Sequence, residues 1–355
     1  MKIIHTSDIH LDSPLTTRLS SDRIKSRKRE LIDTFARGVE YARAEGAQGY
    51  IIAGDLFDSE SASRDTVEAV LGIMERSPEI TFFYLFGNHE KRMLTESGVR
   101  FPRNLKIFND GWTYFNLDGV TVAGRAVTES NMFGSLELSP EKKNIVVLHG
   151  ELCDRSGADG AIGKKELGEL PIDYLALGHY HTYSSTAIGT RCVAVYSGTP
   201  EGRGFDEVGY KGVVLVSVDR YGVSHEFVKT AKRTLHAVEV DISELVRGVD
   251  VERAVEDAVA DIVAADMVRV IFTGEREPEF SVNIDSILAR FKGKFYYLEA
   301  KDATRVRINA EKYKNDRTLK GEFIRTVLAD GSLSDGEKER VIVMGLRALL
   351  GESID

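Results

Sequence analysis

Residues 1–15 read MKIIHTSDIHLDSPL, an apolar run followed at once by ionisable groups. The "KII" segment looks like the start of a buried strand, and His5, Asp8, His10 and Asp12 crowd in directly behind it. The same arrangement returns along the chain. "GYIIAG" leads into "GDLFD" (54–58), "ITFFYLFG" into "GNHE" (87–90), and "NIVVLHG" and "IDYLALGHYH" each end in histidine. Short apolar runs bounded by polar turns read as strands, and a strand that releases polar residues at its carboxyl end delivers them to the crevice at that end of a sheet.

Between these runs lie longer amphipathic segments. "RIKSRKRELIDTFARGVEYARAEG" (23–46) and residues 64–76 have helical spacing, giving an α/β rhythm over the first part of the chain. Strand candidates then come faster, with "VTVAG", "CVAVYSG" and "GVVLVSV" separated by little helix. A doubly wound sheet and a two-sheet sandwich both fit this order. Near residue 232 the pattern resets to "LHAVEVDI", "DVERAVEDAVADIVA", "MVRVIFTG", "NIDSILARF" and "KFYYLEA", a compact βαβαβ unit. Two helices follow, the second opened by "SDGE", which resembles a capping box. We therefore expect three parts: residues 1–232 carrying the site, a smaller unit at 233–310, and a helical tail at 311–355.

The chain has 355 residues, enough for more than one hydrophobic core. No N-terminal segment has a cleavable-leader pattern and no apolar run approaches the roughly 18 residues that suggest a membrane span, so a cytoplasmic protein without membrane contact is expected. Cys153 and Cys192 are the only cysteines and have no zinc spacing, so both are expected to be reduced. The net charge of −9 argues against a wholly basic surface and leaves nucleic acid to local patches or to a basic partner.

Of eight histidines, five fall in the polar turns behind strands: His10, His89, His149, His179 and His181. If the turns converge, Asp8, His10, Asp55, Asn88, His149, His179 and His181 form a set of two carboxylates, one amide oxygen and four imidazoles. That is too many donors for one ion. A mixed nitrogen and oxygen set with a carboxylate able to bridge suits two first-row divalent ions about 3.5–4 Å apart. Each piece alone has a plainer reading, since Asp and Asn cap helix donors and tolerate tight turns. The ordered series of such turns is what carries the metal reading.

This series, "DIH", "GDLFD", "GNHE", "LHG" and "GHYH", resembles the motif blocks of the calcineurin-like metallophosphoesterases, over roughly residues 1–220. The resemblance implies an α/β two-sheet sandwich flanked by helices, with a smaller βαβαβ capping domain. It implies one ion on Asp8, His10, Asp55 and His181 and another on Asp55, Asn88, His149 and His179, with Asp55 bridging. Manganese is the expected metal; iron, zinc or magnesium would fit the same donors. By the same resemblance His89 is the catalytic histidine that stabilises the transition state or protonates the leaving oxygen. Asp58 is its orienting partner or, alternatively, a helix cap.

Within the superfamily, "HTSDIHLDSPL", "GNHE", "LALGHYH" and "VYSGTPEGRGFDEVGYKGVVLVSVD" look like the SbcD-type DNA repair nucleases, most closely their YhaO-like branch. Asp12 stands where many members have glycine, and Glu90 where they have aspartate. The resemblance implies a DNA exo/endonuclease subunit of a double-strand-break repair and recombination complex, with an SMC-like ATPase subunit (SbcC-type) as partner and a possible homodimer. For DNA the candidate basic groups are residues 23–29, Lys91 and Arg92 beside the catalytic turn, and Arg100, Arg103 and Lys106. The first of these clusters can equally be a solvated helix face. Arg203 could reach a substrate phosphate or pair with Asp206 or Glu207. Two rival functions remain: a phosphatase or phosphodiesterase acting on nucleotides or another small phosphate ester, and a non-catalytic metal-binding scaffold.

Overall fold

The computed structural model describes residues 1–15, 19–58, 62–86, 98–126, 132–154, 161–277, 280–307, 313 and 315–350. The chain divides into two compact units, Met1–Leu235 and His236–Asp355.

The first unit carries strands β1 (Lys2–Thr6), β2 (Gly49–Ala53), β3 (Thr81–Leu85), β4 (Leu105–Phe108), β5 (Thr113–Leu117), β6 (Val120–Gly124), β7 (Lys143–His149), β8 (Glu151–Cys153), β9 (Ala161–Gly163), β10 (Tyr174–Gly178), β11 (Ser184–Ile188), β12 (Cys192–Tyr196), β13 (Gly212–Val218) and β14 (Val223–Lys229). Twelve of them form two six-stranded sheets, ordered β14-β13-β1-β2-β3-β4 and β11-β12-β10-β7-β6-β5. Of the two arrangements the sequence allowed, the sandwich is the one found.

Each central strand is apolar on both faces because each face meets a different core. In β1, β2 and β3, Ile3, Ile51, Phe83 and Leu85 point between the sheets, where they meet Ile145 and Val147 of β7 and Tyr174 and Ala176 of β10. Their alternate neighbours Ile4, Tyr50, Ile52, Phe82 and Tyr84 face helices α1 (Ser21–Ala44) and α2 (Arg64–Glu75). The alternate residues of the second sheet, Val146, Leu148, Leu175 and Leu177, pack outward on a third cluster with Leu167 and Ile172. Period-two side-chain placement with both faces covered makes "GYIIAG" and "YLALG" read as unbroken hydrophobic runs.

Strand direction places the site. β1, β2 and β3 run parallel in one sheet, and β6, β7 and β10 run parallel in the other. Their carboxyl ends therefore release residues 8–12, residues 54–58, His149 and His179. The antiparallel strands β13 and β14 close one edge of the first sheet against β1.

The second unit has a three-stranded sheet, β15 (Leu235–Asp241), β16 (Met267–Thr273) and β18 (Tyr297–Asp302), with β17 (Glu275–Arg276) paired to β19 (Arg305–Val306). Helices Gly248–Ala258 and Ile284–Arg290 contribute Val251, Val255 and Ile287 to one core with Val268, Val270 and Phe272. Helices Leu319–Ala329 and Asp335–Leu350 share a separate small cluster of Tyr313, Ile324, Val327, Ile342 and Leu346. At the start of the last helix Glu337 reaches back to the Ser334 N–H (2.9 Å). The Ser334 hydroxyl donates to that same carboxylate instead of accepting from the helix, so only half of a capping box is formed. Among the described residues no helix is long and apolar enough to cross a membrane.

Candidate metal centre

The loops behind β1 and β2 stay paired after the strands end. Asp8 N–H donates to Gly54 O (3.1 Å), His10 N–H to Asp55 O (2.9 Å), Leu11 N–H to Leu56 O (2.9 Å) and Asp58 N–H to Leu11 O (2.9 Å). To hold these bonds and still turn their side chains to one side, Asp8, His10, Asp12 and Asp55 adopt φ of 52°, 46°, 68° and 50°, and His179 adopts 114°. The "SDIHLD" turn is therefore not extended, as its two-residue spacing suggests, but left-handed at alternate positions. Such a conformation costs an L-residue about 1–2 kcal/mol, and clustering of it marks a place where the surrounding structure holds backbone for a purpose.

The side chains converge. Asp8, His10 and His181 each offer a donor atom within 4.8 Å of one another, and so do Asp8, Asp55 and His149. Asp55 Oδ2 lies 3.5 Å from His10 Nε2 and 3.4 Å from His149 Nε2, between the imidazoles of the two groups. His181 Nε2 lies 3.9 Å from Asp8 Oδ1. His179 packs its ring 5.7 Å from that of His149, and its backbone N–H donates to both Asp8 oxygens at 3.1 and 3.0 Å. Asn88, His89, Lys91 and Arg92 lie outside the described residues.

His149 and His181 each bond outward through one ring nitrogen and turn the other inward. The outward nitrogen of His149, Nδ1, is 2.9 Å from Ala53 O, and that of His181 is 2.7 Å from Glu207 Oε1. A carbonyl or carboxylate at Nδ1 puts the proton there and leaves Nε2 as a lone pair, the arrangement seen around metal-ligating histidines. His10 Nε2 is buried with no hydrogen-bond partner. An unpaired buried polar atom is costly unless something other than a hydrogen bond satisfies it. With the carboxylates of Asp8 and Asp55 and the outward-bonded imidazoles of His149 and His181 beside it, a divalent cation fits. Two glycines make the room. A Cβ on Gly54 would fall 2.2 Å from His149 Nδ1, and one on Gly178 would fall 2.0 Å from Ala53 O and 2.7 Å from the same nitrogen.

Charge follows this geometry. Burial pushes the Glu207 carboxyl up, but hydrogen bonds from His181 and Arg203 and the Arg203 charge outweigh it and hold the group down at about 2. The Glu207 hydrogen bond raises His181 against the burial that would lower it. Burial, followed by the Arg203 charge, lowers His10.

Arg203 sits on Glu207. Its backbone N–H (2.7 Å), Nε (3.1 Å) and Nη2 all donate to that carboxylate, and Nη2 also lies 3.2 Å from His181 Nδ1. The pairing expected of Arg203 is formed with Glu207. Sequence reasoning did not assign Glu207 to a ligand histidine. Its only signal was its place in "EGRGFDEVGYKG", a glycine-rich segment behind a strand. Asp12 accepts from Ser63 N–H (2.9 Å), and Ser63 caps α2, so Asp12 ties the first metal loop to the helix that follows the second. His5 is core: wholly buried, 2.9 Å from Tyr174 Oη, and pushed by burial to about 3.

Of the first basic cluster, Arg23, Lys25 and Arg29 are exposed on α1, while Arg27 and Lys28 are engaged by the fold. Arg27, in the run 23–29, is only 1% exposed and bonds Glu30, Glu201 and Gly202 O. Lys28 bonds the Asp12 carbonyl (3.0 Å). Neither is a free cation for phosphate, and Arg27 is not on a solvated face.

The chain is similar to several known proteins. YhaO, an uncharacterised metallophosphoesterase of Bacillus subtilis, is 26% identical over 274 residues, covering 72% of this chain and 67% of YhaO. The DNA double-strand break repair protein Mre11 of Saccharolobus solfataricus is 27% identical over 243 residues, covering 62% of this chain and 61% of that protein; the Methanosarcina acetivorans Mre11 is matched over only 34% of its length. The chain thus spans between one third and two thirds of these relatives. A solved structure of TT1561 from Thermus thermophilus overlaps 64% of this chain and 98% of its own, with 12% identity and a TM-score of 0.40. The family profile for calcineurin-like phosphoesterases matches residues 1–183, more than half of the chain and all the described donors named above, so this chain belongs to the calcineurin-like phosphoesterase family.

Proposed function

We propose that this protein is a metal-dependent phosphodiester hydrolase acting on DNA, a nuclease subunit of the SbcD type. The observation that carries the reading is the meeting of Asp8, His10, Asp55, His149 and His181 behind the carboxyl ends of a parallel strand pair in each sheet, with imidazole Nε2 atoms turned toward carboxylates. Two divalent cations bound there, manganese by preference, would polarise the phosphoryl oxygens and neutralise the charge that builds on them during in-line displacement.

The chain's own residues divide the remaining work. By this reading Asp8, His10, Asp55 and His181 would hold one cation, and Asp55, Asn88, His149 and His179 the other. Asp55 suits the shared position because one of its oxygens stands within 3.5 Å of imidazoles from both groups. By this reading His89 would supply a proton to the leaving oxygen, with Asp58 to orient its ring. Lys91 and Arg92, next in sequence to His89, follow the phosphodiester backbone without reading bases, as a nuclease indifferent to sequence requires. Residues 233–310 act as a capping domain, and the helical tail at 311–355 offers a place for a partner. Support for DNA as substrate comes from relatives named as DNA double-strand break repair proteins; an SMC-like ATPase and a second copy of the chain are the partners that the SbcD-type reading implies. An acidic chain needs such help on DNA.

The test is direct. Incubated with Mn²⁺, the full chain is expected to cleave labelled single- or double-stranded DNA as well as bis(nitrophenyl) phosphate. Cleavage of the small diester with DNA left intact would replace the nuclease with a small-phosphodiester hydrolase. No cleavage of either, with two ions bound, would make the site a scaffold.

A further inference from the structure

We infer that Glu207 is a positioning residue for His181, and that the 201–207 loop exists in this form to hold it; this rests on the metal reading of the site given above. Glu207 is 3% exposed, and among the described residues it is not one of the grouped donors. Its Oε1 lies 2.7 Å from His181 Nδ1, on the far side of the ring from Asp8. From there it can do one thing for the centre: keep the His181 proton on Nδ1 and the ring plane fixed, so that the Nε2 lone pair points at Asp8.

The carboxylate is itself held by Arg203, and the segment around it is fixed at both ends. Arg203 wraps it with its backbone N–H and its guanidinium, and Arg203 Nη1 is anchored on Ser13 Oγ (3.4 Å) in the loop behind β1. Lys211 Nζ donates to the His181 carbonyl (2.7 Å), holding the backbone of the ligand from the far end of the same segment. At the near end Glu201, 1% exposed, accepts from Thr34 Oγ1 (2.8 Å), from Lys232 N–H (2.6 Å) and from Arg233 N–H (3.2 Å). Arg27 clasps the carbonyl of the next residue, Gly202 (2.6 Å). The loop is therefore moored to α1 and to the last residues of the first unit. A loop carrying only a surface turn would need none of these buried charges, because each must be fully paired to be tolerated.

The experiment reads tautomer and metal affinity, not turnover. In the full chain with ¹⁵N-labelled histidine and no metal, at a pH well above the imidazole range, the wild-type His181 signals should show the Nδ1–H form. Glu207→Ala should shift them toward Nε2–H, the form free imidazole side chains prefer. Mn²⁺ titration followed by the spectrum of free Mn²⁺ should show one of two sites weakened by about 10- to 100-fold. Glu207→Gln keeps an oxygen that can accept from Nδ1–H, so it should retain the tautomer and lose affinity by a smaller factor. A folded Glu207→Ala protein with the wild-type tautomer and both Mn²⁺ affinities unchanged overturns the inference. If Glu207→Ala does not fold, Glu207→Gln decides: an affinity equal to wild type overturns it. Wild-type protein that binds no Mn²⁺ sinks the metal reading itself, while a wild-type spectrum lacking the Nδ1–H form sinks the His181–Glu207 link alone.

Discussion

Two clusters of charge lie inside the first unit, and they are built on opposite principles. Around Glu30 and Glu201 every carboxylate is saturated. Glu30 takes Arg27 and both Nε (2.9 Å) and Nη2 (2.6 Å) of Arg233, and Glu201 takes a hydroxyl, two backbone amides and Arg27. Around Asp8 and Asp55 the donors instead face one another at 3.4–3.9 Å without bonding, and His10 Nε2 has no partner. The closed cluster holds chain segments together and tolerates no missing member. The open one leaves its binding capacity for something the chain does not itself provide.

That difference sets the largest expected effect. Asp55→Ala should remove the oxygen that stands between His10 and His149, empty both metal positions, and leave no measurable diester hydrolysis, while the fold, which does not depend on this side chain for a bond to its core, survives. Metal content of the purified protein beside its thermal transition checks this. Two ions at full occupancy in Asp55→Ala would break the distinction between the clusters.

The closed cluster should answer in the reverse way. Glu201→Ala leaves Arg27 buried with one partner fewer and two backbone amides unsatisfied, and should cost about 3–5 kcal/mol of stability, the usual penalty for breaking a buried pair. Denaturant unfolding measures it. A loss below about 1 kcal/mol would mean that Glu201 is not structural in the sense argued here.

How much of this contrast was legible in the sequence follows from range. The strands were, because a run such as "YIIA" or "YLALG" buried on both faces admits few other readings. So was the placement of Asp8, His10, Asp55 and His149 at strand ends, since a histidine or aspartate directly behind an apolar run needs only local reading. Arg27 was not, because the run 23–29 has the look of a solvated helix face, while its partners Glu201 and Gly202 lie more than 170 residues away. Nor were the left-handed conformations at Asp8, His10 and Asp55, which arise from pairing between two loops, and which nothing in either loop alone demands. Glu207 escaped for the same reason: only the fold brings it to His181.

The clusters also differ in how they answer acid. Burial pushes the Glu30 carboxyl up, but hydrogen bonds from Arg233 and Arg27 and their charges prevail and hold it at about 2, below its ordinary value. A depressed folded-state value means that the unfolded chain binds the proton first. The stabilisation from Glu30 is thus complete above pH ~4.5 and is lost as pH falls toward 2. Glu207 adds to the loss over the same window. His5 acts earlier: held neutral by burial down to about 3, it withdraws stability as pH drops below its ordinary value of 6.5. Thermal transitions of the metal-free protein should fall steadily from pH 6 to 3, and Glu30→Gln should flatten the lower half of that slope at the cost of a lower plateau. An unchanged slope in Glu30→Gln would place the acid sensitivity elsewhere.

The smallest effect concerns Asp12, which belongs to neither cluster but borders the open one. Its φ of 68° is the conformation that favours glycine, and its carboxylate accepts from the Ser63 N–H at the start of α2. Lys28 lies 3.7 Å from the other oxygen. Burial raises this carboxyl, and the bonds from Thr66 and Ser63 with the Lys28 charge lower it further than burial raises it. A glycine here would relieve the backbone and lose the bond, an asparagine would keep an acceptor and tolerate the turn, and an alanine would lose the bond without relief. The expected order of stability is Asp, then Asn, then Gly, then Ala, with Asp12→Ala lower by about 1–2 kcal/mol. Chemical unfolding of the three variants ranks them, and Asp12→Gly more stable than wild type would show that the turn, not the tether, is what the position selects for.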